Sequence, residues 1–362
     1  MSQRTYRAAI IGTGGIAHAH AQAVQASGGR AELVAVADVD AGRAREFAAK
    51  YDVPHAYGSA EELLAAQDLD FAHLCTPPAL HTPLALACLE AGVTALVEKP
   101  PTLSLAELDT LIEAESRSTA RVATVLQHRF GAGALRLRRL AADLGRPLLA
   151  TCHTQWYRDA AYYAVPWRGT WESEGGGPTM GHGIHQFDLL LSVLGPWSEV
   201  TAVAVRQARD VDTEDVSMAL VTFANGAVAT VVNSVLSPRQ TSELRFDYEH
   251  ATVEVEHLYG YTDDDWTVTP APGHEDVTAL WGADPSSASS GHSGWFAAVL
   301  DAFDQGQAPP VTTADARQTM EFIAALYASA FTGERVRAGQ ITADSPFALR
   351  MDGTGAPWRN QK

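Results

Sequence analysis

At 362 residues, with 46% hydrophobic and 19% charged types, the chain has the balance of a folded protein too long for a single core, and two domains are expected. Its 43 acidic against 26 basic residues leave a net charge of −17, which argues against a polyanion partner and therefore against nucleic acid. Three cysteines, Cys75, Cys88 and Cys152, show no clustered spacing and fit a reducing cytoplasm, and the lack of a signal-like start or an apolar run near 18 residues predicts no membrane span.

The apolar run 6–11 leads into Gly12-Thr13-Gly14-Gly15-Ile16-Ala17 and then the helix-compatible His18-Ala19-His20-Ala21-Gln22-Ala23-Val24. Strand, tight turn and helix in that order give the pattern G-x-G-x-x-A a mechanism. The glycines let the chain turn sharply and bring backbone amides to a pyrophosphate, and the alanine lets helix and strand pack closely. A second apolar run, 33–37, ends in Asp38, 21 residues after Ala17 and near the spacing of a ribose-binding acid. Asp38 is expected to accept the adenosine ribose hydroxyls and to repel a 2′-phosphate, favouring NAD over NADP. Arg43 either reaches such a phosphate or is a solvated residue in the first turn of a helix. The strand 70–75 runs into Thr76-Pro77-Pro78, the helix 81–91 closes at Gly92, and the strand 93–97 delivers Glu98 and Lys99 before Pro100-Pro101 stops the backbone. A carboxylate and an ammonium at the carboxyl end of a strand stand where open α/β sheets place ligand chemistry. An amphipathic stretch, 104–116, and a strand, 121–126, complete a doubly wound parallel sheet, and Gln127-His128-Arg129-Phe130 follows. The expected domains are 1–126, a dinucleotide-binding fold, and 127–362.

Beyond residue 147 the period changes to 2 over longer runs, 147–157, 200–208, 216–223, 227–236, 241–248 and 252–258, with Asn225-Gly226 as a hairpin turn. These predict a mostly antiparallel sheet in an α+β domain. Gly175-Gly176-Gly177-Pro178 opens a helical stretch, 179–194, that carries His182, His185 and Asp188 and ends at Gly195-Pro196; helices are also expected at 295–305 and 313–332, with the tail 334–362 packing back on the body.

The glycine turn at 12–17, Ala37-Asp38, Cys75-Thr76-Pro77-Pro78 with His81, Glu98-Lys99-Pro100, Arg129-Phe130, Trp167-Arg168, Gly175-Gly176-Gly177 and Gly183-Ile184-His185 with Asp188 together resemble the Gfo/Idh/MocA family, that of glucose-fructose oxidoreductase and inositol dehydrogenase, over nearly the whole chain. The resemblance implies a Rossmann domain and an α+β domain whose large open sheet commonly forms homodimer or homotetramer interfaces. It implies NAD(P)-dependent oxidation or reduction of a sugar or cyclitol hydroxyl. Cofactor contacts are implied at Gly12, Thr13, Gly14, Gly15, Ile16, Asp38, Arg43, Thr76, Pro77, His81, Glu98, Lys99, Gln127, Trp167 and Arg168, and catalysis at Lys99 and His185. His182, Tyr157, Trp156, Arg168, His153 and Arg129 are the candidate substrate residues, as stacking faces and hydrogen-bond donors suited to a sugar. His153, His182 and His185 lack a convincing third ligand, and no metal is expected.

Many family members carry an aspartate four residues before the reactive histidine; here that position is Gly181, followed by His182. A carboxylate at 181 would share a helical face with His185, and the expectation is a pocket shaped around glycine and His182 that would not welcome one. Lys99, readied by burial and by a neighbouring positive nicotinamide ring, is the expected proton acceptor, with Glu98 on the cofactor side. Two other readings stay open: a glycoside-cleaving enzyme in which NAD transiently oxidises C3, and a cofactor-binding regulator without catalysis.

Overall fold

The computed structural model describes residues 4–283, 288 and 290–360, and the chain divides into two compact units. The first holds the residues up to Thr102 together with Glu107–Val125 and His292–Ala316. Its six strands, β1 (Tyr6–Ile11), β2 (Ala31–Ala37), β3 (His55–Tyr57), β4 (Phe71–Leu74), β5 (Thr94–Val97) and β6 (Val122–Thr124), are all parallel in the order β3-β2-β1-β4-β5-β6. Every residue of β4, β5 and β6 is buried, because a sheet covered on both faces has no polar side to alternate with. Leu63, Leu74, Val97 and Leu111 form part of one core cluster, and Ile10, Val36, Phe47 and Val53 join Ala17 and Ala21 of the helix Ala17–Gln25 in another.

Residues 292–316, which the sequence placed in the second domain, belong to this first unit. The helix His292–Asp304 sets Phe296 and Phe303 edge-on to Phe71 at 6.1 and 5.0 Å, and Arg30 pairs with Asp301 and Asp304 at 2.8 and 2.7 Å. Its apolar stripe is legible in the sequence. Which core that stripe covers is not.

The second unit contains Leu126–Gly291 and Arg317–Lys362, with the short segment Leu103–Ala106. Its strands are β7 (Pro147–Tyr157), β8 (Trp197–Val205), β9 (Val216–Phe223), β10 (Val228–Ser234), β11 (Leu236–Tyr248), β12 (Ala251–His257), β13 (Trp266–Pro270) and β14 (Val336–Arg337), in the order β13-β12-β11-β7-β10-β9-β8-β14. All neighbours are antiparallel except β7 and β10. Gly226 closes the β9–β10 hairpin at φ +88°, with the Phe223 amide donating to the Ala227 carbonyl at 2.8 Å. One sheet face is covered: Phe187 of the helix Ile184–Leu194 and Trp197 pack on Phe322 at 5.2 and 5.8 Å. The other face carries Val203, Met218 and Leu220 at 59, 54 and 64% exposure.

Candidate active site

In the first unit the strand order reverses between β1 and β4, the place where a doubly wound sheet opens a crevice at its carboxyl ends. The turn after β1 passes so close to the turn after β4 that a Cβ on Gly12 would stand 2.9 Å from the Cys75 carbonyl carbon, and its φ of +89° also calls for glycine. Nothing lies within 4 Å of where a Cβ would stand on Gly14 or Gly15, so their backbone faces open space. The buried Thr76 hydroxyl has no partner among the described residues. At the end of β2, Asp38 Oδ2 accepts from the Thr13 amide at 2.8 Å, the Thr13 hydroxyl at 2.9 Å and Arg43 Nε at 3.1 Å, while Oδ1 accepts from the Asp40 amide at 2.9 Å and Arg43 Nη2 at 2.6 Å. Burial pushes this carboxyl up, but the donors from Arg43, Thr13 and Asp40 prevail and hold it at about 2. An open glycine cradle, an unpartnered hydroxyl and a fixed carboxylate suit a dinucleotide. Arg43 sits on the acid itself, so a ribose must share or displace it.

Glu98, at the end of β5, is buried among histidines. Its Oε1 accepts from His20 Nε2 at 2.9 Å and His292 Nε2 at 2.8 Å, and its Oε2 accepts the Lys99 amide at 3.1 Å. With His20 Nε2 donating, a neutral His20 ring accepts at Nδ1 from His73 Nδ1, 2.8 Å away, and the buried His73 Nε2 has no partner among the described residues. Burial lowers both His20 and His73, and it raises Glu98, where the two imidazole donors outweigh it and hold the acid well below the usual range. Ligand-type atoms of His20, Glu98 and His292 all lie within 4.8 Å of one another, the one such group among the described residues, and their N–H groups already complete it as a hydrogen-bonded cluster. The sequence reading gave Glu98 to the cofactor, whereas both of its oxygens here serve the protein. His81 is similar: its ring nitrogens lie against the Thr76 and Pro100 carbonyls at 2.9 and 2.7 Å, pinning the turn after β4 to the turn that carries Lys99. Both side chains shape the turns that a cofactor would meet.

In the second unit the stretch before the helix Ile184–Leu194 is a π-type turn, Thr179–Gly183, so the regular helical spacing expected between 181 and 185 does not hold. Buried Glu214 holds this turn by accepting from the Gly177 amide at 3.0 Å, the Thr179 amide at 3.0 Å and the Tyr327 hydroxyl at 2.9 Å; burial raises its carboxyl. A Cβ on Gly177 would meet the Glu214 carbonyl oxygen at 2.1 Å, which explains that glycine. The pocket moulded around Gly181 is not found, since nothing lies within 4 Å of where a Cβ there would stand. His185 stacks on His128 with ring centres 4.8 Å apart and planes 25° apart. His128 Nε2 donates to the Tyr259 carbonyl at 2.8 Å, and the Gln186 amide lies between His128 Nδ1 and His257 Nε2 at 3.4 and 3.1 Å. Burial holds His257 at about 4, as a neutral acceptor.

His182 meets Trp156 edge-on at 4.7 Å and Tyr162 at 6.2 Å. His153 and Tyr157, expected in the same pocket, project from the other face of the sheet. Alternation along β7 buries Ala150, Cys152, Thr154 and Trp156 and turns the odd positions away, leaving Glu243 3.8 Å from His153. Arg129 is likewise committed, its fork taken by the fully buried Asp188. Gln127 Oε1 is buried without a partner among the described residues, and Arg168 lies over Trp167 at 4.4 Å. Sequence reasoning missed His128, beside His185, Tyr162, beside His182, and Arg158 and Tyr259, both beside Trp156. Arg158, next to Tyr157 at a strand end, and His128, between Gln127 and Arg129 after a strand, had a positional signal.

Comparison with known proteins adds independent support. A family described as "Oxidoreductase family, NAD-binding Rossmann fold" matches residues 6–125, and one described as "GFO/IDH/MocA C-terminal domain" matches residues 135–273. The D-apiose dehydrogenase of Paraburkholderia graminis is 25% identical over 98% of this chain and 95% of its own length. Inositol 2-dehydrogenase 4 of Saccharopolyspora erythraea is 31% identical over 64% of this chain and 67% of its own. Among solved structures, the WlbA dehydrogenase from Bordetella pertussis in complex with NADH and UDP-GlcNAcA superposes with a TM-score of 0.82 at 26% identity, covering 92% of this chain and 99% of that one.

Proposed function

This chain belongs to the Gfo/Idh/MocA oxidoreductases, and on that premise we propose that it is an NAD-dependent dehydrogenase that interconverts a secondary hydroxyl of a sugar, sugar derivative or cyclitol with a ketone, using Lys99 and His185. The observation that carries the reading is the open Gly14–Gly15 turn beside an ionised Asp38 at the β1–β4 switch point, in the sheet whose β5 ends on Lys99. NAD, when bound, supplies the hydride acceptor. Lys99 takes the hydroxyl proton during oxidation and returns it during reduction, and His185, its ring plane set by His128, holds a substrate hydroxyl. His182, steadied by Trp156, holds a neighbouring hydroxyl.

An absorbance screen at the NADH band, with polyols, monosaccharides and glycosides and with NAD+ and NADP+ in parallel, tests this reading. Net NADH that disappears in Lys99→Ala supports it. Glycoside cleavage without net NADH would instead select transient oxidation and elimination. We further propose a homo-oligomer through the uncovered sheet face, supported by the row Val203, Met218 and Leu220, and tested by light scattering on the eluting protein. Three free, buried cysteines support a cytoplasmic setting.

A further inference from the structure

Around His182 the second unit gathers aromatic rings and guanidinium groups. Tyr259, 65% exposed, lies 4.7 Å from Trp156, itself against His182. The Arg158 guanidinium stands 4.8 Å from the centre of Trp156 and 5.0 Å from that of Tyr162, whose ring also takes Arg168 at 3.9 Å. A guanidinium laid on rings has lost water from one face and keeps its charge, so in a chain of net charge −17 a carboxylate partner is the expectation. Arg168 has one at a distance, Glu174 Oε1 at 3.8 Å. Arg158 has none within 4 Å among the described residues. Its Nη1 donates to the Tyr157 carbonyl at 3.1 Å and its Nη2 to the Tyr259 hydroxyl at 2.9 Å, while its Nε is buried with no acceptor. The adjacent Asp159 is occupied elsewhere, accepting the Tyr162 amide at 3.0 Å as a helix cap.

We propose that Arg158, backed by Arg168, is an anion-recognition subsite, so that the sugar handled here carries a carboxylate or a phosphate, with Tyr259 as a face for its ring. This rests on the dehydrogenase reading and names its substrate class. Carboxylates and phosphates both match the planar donor fork, and Nη1 and Nη2, each of which gives one N–H to the protein, keep a second N–H apiece for a two-point contact to either.

The test uses substrates matched except for charge: glucose, glucuronate, glucose 1-phosphate, UDP-glucose and UDP-glucuronate, with myo-inositol and inositol 1-phosphate. Turnover with NAD+ and calorimetric binding to the NADH-loaded protein are read in parallel for the parent, Arg158→Ala and Arg158→Lys, with circular dichroism as a check on folding. An anionic member should exceed its neutral counterpart at least tenfold in kcat/KM or affinity; Arg158→Ala should cut that ratio by about 10- to 100-fold, and Arg158→Lys should restore part of it. Whether glucuronate or the phosphate esters gain most identifies the anion. Neutral sugars equal to or better than the anionic ones, or a ratio unmoved by Arg158→Ala, overturns the proposal. Charge-selective binding without any turnover would sustain the subsite and overturn the dehydrogenase reading.

Discussion

Asp38 is held ionised by donors on both oxygens, so a 2′-phosphate brought to the end of β2 meets a fixed negative charge with one guanidinium already bound to it. NAD+ is therefore expected to exceed NADP+ in kcat/KM, and Asp38→Ser to narrow the gap by freeing Arg43; equal use of NADP+ by the parent would transfer the selecting role to Arg43. For Lys99→Ala the expected loss is about 10²–10⁴-fold in turnover, the usual contribution of positioned proton transfer, with NADH binding kept in a fluorescence titration. Lost NADH binding would make Lys99 a cofactor residue. Gly181→Asp should fold, because a side chain there has room, and should leave turnover within about tenfold of the parent if Lys99 and His185 suffice. A larger gain would mean that the native protein lacks a group it could use.

The turn that presents Lys99 depends on three elements brought together from far apart in sequence. Glu98 meets His20 across 78 residues and His292 across 194, and His20 meets His73 across 53. His292→Ala removes one donor from a buried carboxylate and should lower the unfolding free energy by about 1–3 kcal/mol in urea titration. His292→Gln, which keeps an N–H in reach, should recover part of the loss, and equal stability of all three proteins would show that the contact contributes nothing. This cluster also marks the limit of what could be read from sequence. The βα alternation, the glycine turn, Asp38, the Asn225-Gly226 hairpin and the period-2 strands are local signals, each fixed within a few residues by sterics or pleat. His20 and His73 fell inside an expected helix and strand and His292 just ahead of the helix expected at 295–305, none with a chemical signal, because their meaning lies in a meeting that no spacing encodes. The misplacement of His153 and Tyr157 has a different cause. Period 2 already set them opposite Trp156, and chemical type was given more weight than the pleat.

Below neutral pH the buried histidines and two of the buried acids pull stability in one direction. His257, folded at about 4 against an ordinary 6.5, leaves full stability above pH 6.5 and loses it as pH falls towards 4, and His20, His73 and His81 are lowered in the same sense. Glu98 and Asp38, both depressed, add losses below the ordinary carboxylate range, and raised Glu214 works the other way. The urea midpoint should therefore drop steadily from pH 7 to pH 4.5; a flat or rising profile would show that these histidines are protonated in the native protein. The return of residues 292–316 to the first unit has a consequence for synthesis on the ribosome. When Val125 has been made, the face of Phe71 that Phe296 and Phe303 will cover is still bare, and 191 residues, from 125 to 316, remain to be translated before the last segment of that unit exists. At about 5–20 residues per second the nascent amino-terminal segment waits roughly 10–40 s with an open aromatic patch, long enough for a chaperone to find it and for a neighbouring nascent chain to stick to it.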